Sequence, residues 1–361
     1  MCNSPLHNLL TALPKCEHHV HLEGTLSPSL LFALAAKNNI PLPPSAPTPE
    51  SESFDPAFTS PSALSARYTT FSSLDDFLHY YYIGFRVLLS PSDFEALTYA
   101  YLSHAARSAN LRHAEVFFDP QGHTARGVPL EHVITGFHAA AARAQSEFGI
   151  TAELIPCLLR HFSVEAGTEC FDSLISTGGF ADGRLKGVGL CSTELDKPPE
   201  AWKGIFARAK GRGIRRTAHA GEEGPAGYVR AAVEMLDVMR VDHGVRAAED
   251  NAVMQMLADK GVMLTVCPMS NVALKGARSI GEVPVRRFLD AGVRFSLNSD
   301  DPAYFGGYIQ ENYCAVEEAF GLSVEEWGGI ARNAVEGSWC SEERKGVLLG
   351  EVEAVLGGWR G

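Results

Sequence analysis

Two histidines, His19 and His21, stand two residues apart in Glu17-His18-His19-Val20-His21-Leu22-Glu23-Gly24-Thr25, behind the apolar lead-in Leu13-Pro14-Lys15-Cys16. Side chains alternate faces along a β-strand, so both imidazoles would point the same way. A strand end of this kind can offer two nitrogen ligands to one metal ion. Gly24 would let the chain turn sharply out of the strand. An H-x-H pair is also common on strands that bind nothing, so it needs partners elsewhere in the chain. Three later stretches supply them: Thr217-Ala218-His219-Ala220-Gly221-Glu222-Glu223-Gly224, Val241-Asp242-His243-Gly244 and Leu297-Asn298-Ser299-Asp300-Asp301-Pro302. Singly each is weak. A histidine at a strand end is commonly a buried structural one, and aspartate before proline commonly caps a helix. Together, His19, His21, His219 and Asp300 make three imidazoles and one carboxylate, which suit a divalent ion such as Zn2+, one per chain, with a position left for water. Such an ion lowers the pKa of its water from ~15.7 towards ~7. Glu222, close behind His219, is set to give or take a proton. His243 can orient or deprotonate the water, and Asp301 can accept a hydrogen bond from substrate or water.

These residues need elements that bring them to one place. Strand-like runs are expected at the opening stretch and at 111–118, 152–159, 185–190, 216–220, 241–243, 262–267 and 293–297. Helical segments are expected between them, near 29–38, 74–89, up to 148, 165–176, 199–210, 226–239, 249–260 and 283–291, and from 323 to the end. Alternating strands and helices predict βαβ units and a parallel sheet. Eight such units predict an α/β fold of the (β/α)8 TIM-barrel type with additional helices, which puts polar strand ends at one C-terminal mouth. An open doubly wound sheet is the alternative; it lacks its G-x-G-x-x-G turn after the first strand. No linker or internal repeat divides the chain, so residues 1–361 read as one domain. The Pro/Ser/Glu-rich stretch 41–62 reads as a loop or flap within it. The aromatic segment with Phe77, Tyr80, Tyr81, Tyr82 and Phe85 reads mainly as core, with some of its rings lining a pocket as the lesser alternative.

Composition narrows the function. Forty-five per cent of the 361 residues are hydrophobic, and 31 basic against 43 acidic residues give a net charge of −12. That balance disfavours nucleic acid and anionic membrane surfaces as partners and leaves a small-molecule substrate. No apolar run is long enough to span a bilayer, and no secretory signal precedes the first helix. Eight cysteines without a C-x-x-C pair read as reduced intracellular thiols. A cytoplasmic location is expected, with the nucleus as the alternative. The P-C-x-x-C signature of cytidine-type zinc deaminases is missing.

The order His-x-His, His-Ala-Gly-Glu, His-Gly, Ser-Asp-Asp-Pro resembles the adenosine/adenine deaminase branch of the amidohydrolases over nearly the whole chain. Within it, Pro14-Lys15-Cys16-Glu17, His21-Leu22-Glu23-Gly24-Thr25-Leu26, His113-Ala114-Glu115-Val116-Phe117-Phe118-Asp119-Pro120-Gln121, Arg240-Val241-Asp242-His243-Gly244-Val245 and Ser299-Asp300-Asp301-Pro302-Ala303-Tyr304-Phe305-Gly306-Gly307 are similar to the fungal and bacterial adenine deaminases. The resemblance implies zinc on His19, His21, His219 and Asp300. It implies Glu222 protonating purine N1, His243 holding the water that attacks C6, and Asp301 bonding N7. Glu23, Cys191 and Ser192 fall where such a protein would touch substrate. The implied reaction is hydrolysis of adenine to hypoxanthine and ammonia; adenosine or an N6-substituted adenine is the alternative substrate.

Two positions depart from the pattern. His18 stands where the family has Leu, and reads as structural because it should face away from the metal. Gly189-Leu190-Cys191-Ser192-Thr193-Glu194 stands where the similar deaminases have Gly-Leu-Asp-Ser-Ser-Glu, so Cys191 removes an acid at the purine edge. Strict adenine specificity is thereby open. A binuclear hydrolase would need a bridging Lys or Glu near the end of the fourth strand, where Cys191-Ser192-Thr193 stand instead. A non-catalytic purine-binding relative would not need both Glu222 and His243.

Overall fold

The computed structural model describes residues 2–45 and 54–360. Eight strands run in chain order around one parallel sheet. They are β1 (Lys15–His21), β2 (Leu111–Phe118), β3 (Thr151–Leu159), β4 (Gly187–Cys191), β5 (Arg215–Ala220), β6 (Arg240–His243), β7 (Met263–Val266) and β8 (Phe295–Leu297). The sheet curls until its last strand meets its first. His21 N–H donates to the Asp300 carbonyl at 2.9 Å, and Asp300 N–H to the His19 carbonyl at 3.0 Å. The ring is thus a TIM-type barrel, as the alternating pattern predicts.

Near-continuous burial of every strand follows from helices covering the outside and side chains filling the inside. The lower interior is polar. Arg240 pairs with Glu115, and its guanidinium lies 4.1 Å from the centroid of the Trp339 ring. His113 Nε2 stands 3.2 Å from the same carboxylate. His18 belongs here: Ser296 Oγ lies 3.0 Å from its Nδ1 and Ser338 Oγ 2.9 Å from its Nε2, so its ring is held below the mouth.

The helices carry readable ends. Ser27 accepts from Leu30 N–H, Pro28 opens the helix Pro28–Asn38, and Asn39 closes it in the left-handed region at φ 53°. The helix Pro91–Ala109 falls outside the expected set. Its signals are present: a Ser90/Asp93 capping box, Pro91 at the first turn and left-handed Asn110 beyond the end. Phe94, Leu97, Thr98, Tyr101, Leu102 and Ala105 form its buried stripe. The helix expected to run to residue 89 stops at Phe85. Of the 41–62 stretch, residues 46–53 lie outside the described residues; Pro56–Thr59 is a short 3-10 turn that buries Phe58. Gly24 has a different reason from the turn expected of it. A Cβ there would collide with the Asp301 carboxylate, so glycine permits close approach of the chain to that acid. No helix among the described residues is long and apolar enough to cross a membrane.

Candidate active site

The mouth gathers the residues singled out by spacing. One ligand atom from each of His19, His21, His219 and Asp300 lies within 4.8 Å of the other three. His21 Nε2 and His219 Nε2 are 3.3 Å apart. Asp300 Oδ1 is 3.2 Å from His19 Nε2 and 3.5 Å from His21 Nε2. The strand does not deliver the histidines by simple alternation: the β1–β2 register shifts between Glu17 and Val20, and His18 and His19 sit inside that irregularity.

A second layer fixes which ring atoms face the centre. Thr265 donates its hydroxyl hydrogen to Asp242 Oδ1 at 3.0 Å. Its oxygen therefore accepts from His19 Nδ1 at 3.0 Å, which leaves the Nε2 lone pair aimed at the cluster. His219 Nδ1 faces Asp242 Oδ2 at 3.5 Å, with the same consequence. Asp242 thus orients two of the three imidazoles, as carboxylates behind metal-binding histidines do. Ser270 donates to Asp300 Oδ2 at 2.6 Å and leaves Oδ1 for the centre. Buried His19 Nε2 has no hydrogen-bond partner among the described residues. Three imidazole nitrogens and one carboxylate converging on a point, with an orphaned nitrogen among them, fit a divalent cation.

Burial disfavours charge on His21, taking it down to about 3, and likewise lowers His219 and His243. Burial also opposes the charge of Asp300, but His19 and its neighbouring imidazoles outweigh it and hold the carboxylate well below its usual range.

Beside the cluster, Glu222 Oε2 lies 3.4 Å from His243 Nε2. Burial, then Asp300, Glu194 and Glu223, pushes the Glu222 acid well above the usual carboxylate range. The turn that carries Glu222 is held by Glu194, a residue the sequence reading left without a role. Its carboxylate accepts from Gly221 N–H at 2.9 Å, Glu222 N–H at 2.9 Å and Gly224 N–H at 3.1 Å. Three non-glycine residues at strand ends take left-handed backbone: Ser192 (φ 75°), His243 (φ 59°) and Asp300 (φ 63°). Such strain gathers at functional sites, where it aims side chains that a continuing strand would point elsewhere.

A cavity opens over these groups, lined by His21, His219, Glu222, His243, Asp300 and Asp301 on one side. Phe77, Leu78, Tyr81 and Tyr82 line the other. The aromatic helix Leu74–Phe85, expected mainly as core, is therefore also a wall of the site. Asp301 Oδ1 and the Tyr81 and Tyr82 hydroxyls are buried without a hydrogen-bond partner among the described residues. A buried polar atom left unpaired costs stability unless a ligand satisfies it.

Cys191 and Ser192 line the cavity, as the sequence reading expects of substrate contacts. Ser192 Oγ is held by His161 Nδ1 at 2.8 Å. Cys191 has a neighbour that reading did not place: its thiol points at Asp119 Oδ1, 3.6 Å away. Asp119 follows β2 and also lines the cavity, so this wall keeps an acid although Cys191 is not one. Glu23 stands apart from the cavity lining. Its carboxylate pairs with His123 Nε2 at 2.5 Å and accepts from Asp119 N–H at 3.2 Å, so it supports Asp119 from behind.

The barrel and the cluster of metal-capable donors are those of an amidohydrolase-type hydrolase. The chain belongs to the adenosine deaminase family, whose sequence model matches residues 14–355. It is 52% identical over 356 residues to an adenine deaminase of Gibberella zeae, covering 99% of this chain and 98% of that one. It is 51% identical over 353 residues to the adenine deaminase of Schizosaccharomyces pombe, covering 98% and 94%. Among solved structures, an adenine deaminase from Arthrobacter aurescens superposes with a TM-score of 0.88 at 40% identity, over 96% of this chain and all of that one. An amidohydrolase from Burkholderia ambifaria solved with bound zinc gives 0.83 at 27% identity, over 97% and 93%.

Proposed function

We propose that this chain hydrolyses adenine to hypoxanthine and ammonia, with zinc held by His19, His21, His219 and Asp300. The observation that carries the reading is the four-donor cluster, within 4.8 Å, standing beside the Glu222–His243 pair at 3.4 Å. Relatives called adenine deaminase at about half identity over their full length support adenine as the substrate.

When bound, the ion supplies the Lewis acidity that makes water acidic near pH 7. The protein's own groups do the rest. Glu222, kept protonated by its buried, anionic surroundings, donates its proton to purine N1 and draws electrons from C6. His243, kept neutral by burial, takes a proton from the attacking water. Asn271 Nδ2 stands 3.3 Å from His243 Nδ1 and fixes the ring. Asp301, with an unpaired buried oxygen, holds N7. The proton gained by His243 goes to the exocyclic amine, which leaves as ammonia when the C6–N bond breaks; the remaining hydroxyl proton returns to Glu222 as the C6 carbonyl forms, so water and adenine are converted to hypoxanthine and ammonia. The aromatic wall of Phe77, Tyr81 and Tyr82 gives the flat ring an apolar face and excludes water.

The test is a metal titration. Protein stripped by a chelator should lose ammonia release from adenine and regain it on addition of Zn2+. Asp300→Ala and His19→Ala should lose both bound ion and turnover. Full activity in chelated protein, or full activity in Asp300→Ala, would overturn the reading.

A further inference from the structure

Away from the mouth, the N-terminal segment lies against the helix Ile309–Phe320. Asn3 N–H donates to Glu318 Oε1 at 2.9 Å, and Ser4 Oγ donates to Glu317 Oε1 at 2.6 Å. These bonds bring Cys2 and the start of the helix His7–Ala12 next to Cys314. His7 Nδ1 is 3.2 Å from Cys2 Sγ and 3.9 Å from Cys314 Sγ. All three donor atoms lie within 4.8 Å of one another, and none belongs to the mouth cluster.

We propose that Cys2, His7 and Cys314 form a second metal site, for a borderline-soft divalent d10 cation such as Zn2+ or Cd2+. Four observations carry it. First, the spacing fits. In a tetrahedral zinc site with Zn–S of ~2.3 Å and Zn–N of ~2.05 Å, neighbouring N and S donors stand ~3.6 Å apart. The two observed N···S distances bracket that value. Second, the sulfurs crowd one nitrogen: Gln310 Nε2 donates to Cys314 Sγ at 3.5 Å, but His7 Nδ1 can satisfy only one of the two thiols that face it. A single ring nitrogen has one lone pair or one N–H, yet two sulfurs face it. Third, two thiolates and a neutral imidazole balance a dication, which suits a place where Cys2 is 9% exposed. Burial, and then Cys314, pushes the Cys2 thiol up to about 11; a bound cation reverses that preference by ionising its ligands. Fourth, the donors come from two segments far apart in sequence, so one ion would pin residues 2–7 to the helix Ile309–Phe320. A groove lined by Gln310, Glu311 and Glu318 opens beside the three donors and leaves room for a fourth ligand, water or carboxylate.

Cobalt substitution tests this on the intact, reduced protein. The mouth donors carry no thiolate, so a sulfur-to-cobalt charge-transfer band reports the second site. The parent should show that band, and Cys314→Ser and His7→Ala should lose it together with about one ion per chain. Their ammonia release should stay within about twofold of the parent, because neither residue touches the mouth. Cadmium should protect Cys2 and Cys314 from alkylation, read by mass spectrometry. A parent without the band, a band undiminished in Cys314→Ser, or thiols that form a Cys2–Cys314 disulfide and on reduction take up no metal, would each overturn the proposal.

Discussion

Each acid at the mouth has a task set by its surroundings. Asp300 is held ionised by imidazoles, while burial pushes Glu222, Asp301 and Asp119 up, with Asp300 adding to the first two and Glu23 to the third. Glu222→Gln should keep its metal, because Glu222 is outside the ligand set. It should lose at least ~10²-fold in kcat, the usual lower scale for removing a general acid. Normal turnover in that variant would refute the proton-donor role. Asp119 bears on specificity. Cys191 stands where similar deaminases have an acid, but its thiol leans on the Asp119 carboxyl, which faces the same cavity. Asp119→Ala should therefore cost roughly tenfold in kcat/KM for adenine, from about 1.5 kcal/mol for a hydrogen bond to a polar partner. Cys191→Ala should cost less, and steady-state kinetics on adenine for both variants separates the two. Equal losses, or a larger loss at Cys191, would return the specificity role to Cys191. At this scale the four donors that meet at the mouth were legible from types and spacing. Asp119 and Asp242 were not, because an acid at a strand end looks the same in sequence whether it touches a ligand, orients a histidine or caps a helix.

The turn after β5 shows how an element can set the chemistry without touching it. Three N–H groups from Gly221, Glu222 and Gly224 converge on the fully buried Glu194 carboxylate. Glu194→Ala removes the carboxylate that accepts all three bonds and frees the turn that aims Glu222. The expected result is a 10- to 100-fold fall in kcat, at about 1.4 kcal/mol per tenfold, with metal content unchanged. A fall in metal content equal to the fall in rate would mean that Glu194 supports His219 and not Glu222. The barrel strands were readable because eight apolar runs alternate with helical periodicity. Three features escaped that reading. The helix Pro91–Ala109 announces itself by its caps more than by its stripe. The irregularity in β1 places His18 and His19 by a register shift that no alternation pattern foretells. The aromatic helix Leu74–Phe85 was read only in part: Phe77 packs on Phe71, Tyr304 and Phe305 while the helix also walls the cavity, and apolar side chains look alike in sequence in either place.

Across the whole molecule, the barrel separates a polar mouth from a polar floor, and the floor bears on stability. Burial opposes the charge of Glu115, but Arg240, with His113 and His18, outweighs it and holds the carboxyl well below its usual range. An unfolded glutamate takes up a proton as pH falls through ~4.3, while the folded one resists, so this contribution is complete above that pH and is lost on further acidification. Arg240→Met leaves Glu115 buried without its partner and should destabilise the fold by about 3–5 kcal/mol near pH 7. Without the guanidinium, Glu115 rises in pKa, the folded state binds the extra proton, and the deficit against the parent should shrink towards about pH 5. Melting curves at the two pH values check this; a deficit independent of pH would mean that lost packing on Trp339, not charge, is the cause. The central claim concerns the mouth: its metal-binding donors and its acid–base pair serve one reaction on one class of ring. The most direct measurement is ammonia release by metal-replete protein from a panel of adenine, adenosine and N6-methyladenine, with the purine product identified. The account predicts ammonia and hypoxanthine in equal amounts from adenine, and the highest kcat/KM on that substrate. No ammonia from adenine, or a clear preference for adenosine or N6-methyladenine, would contradict it.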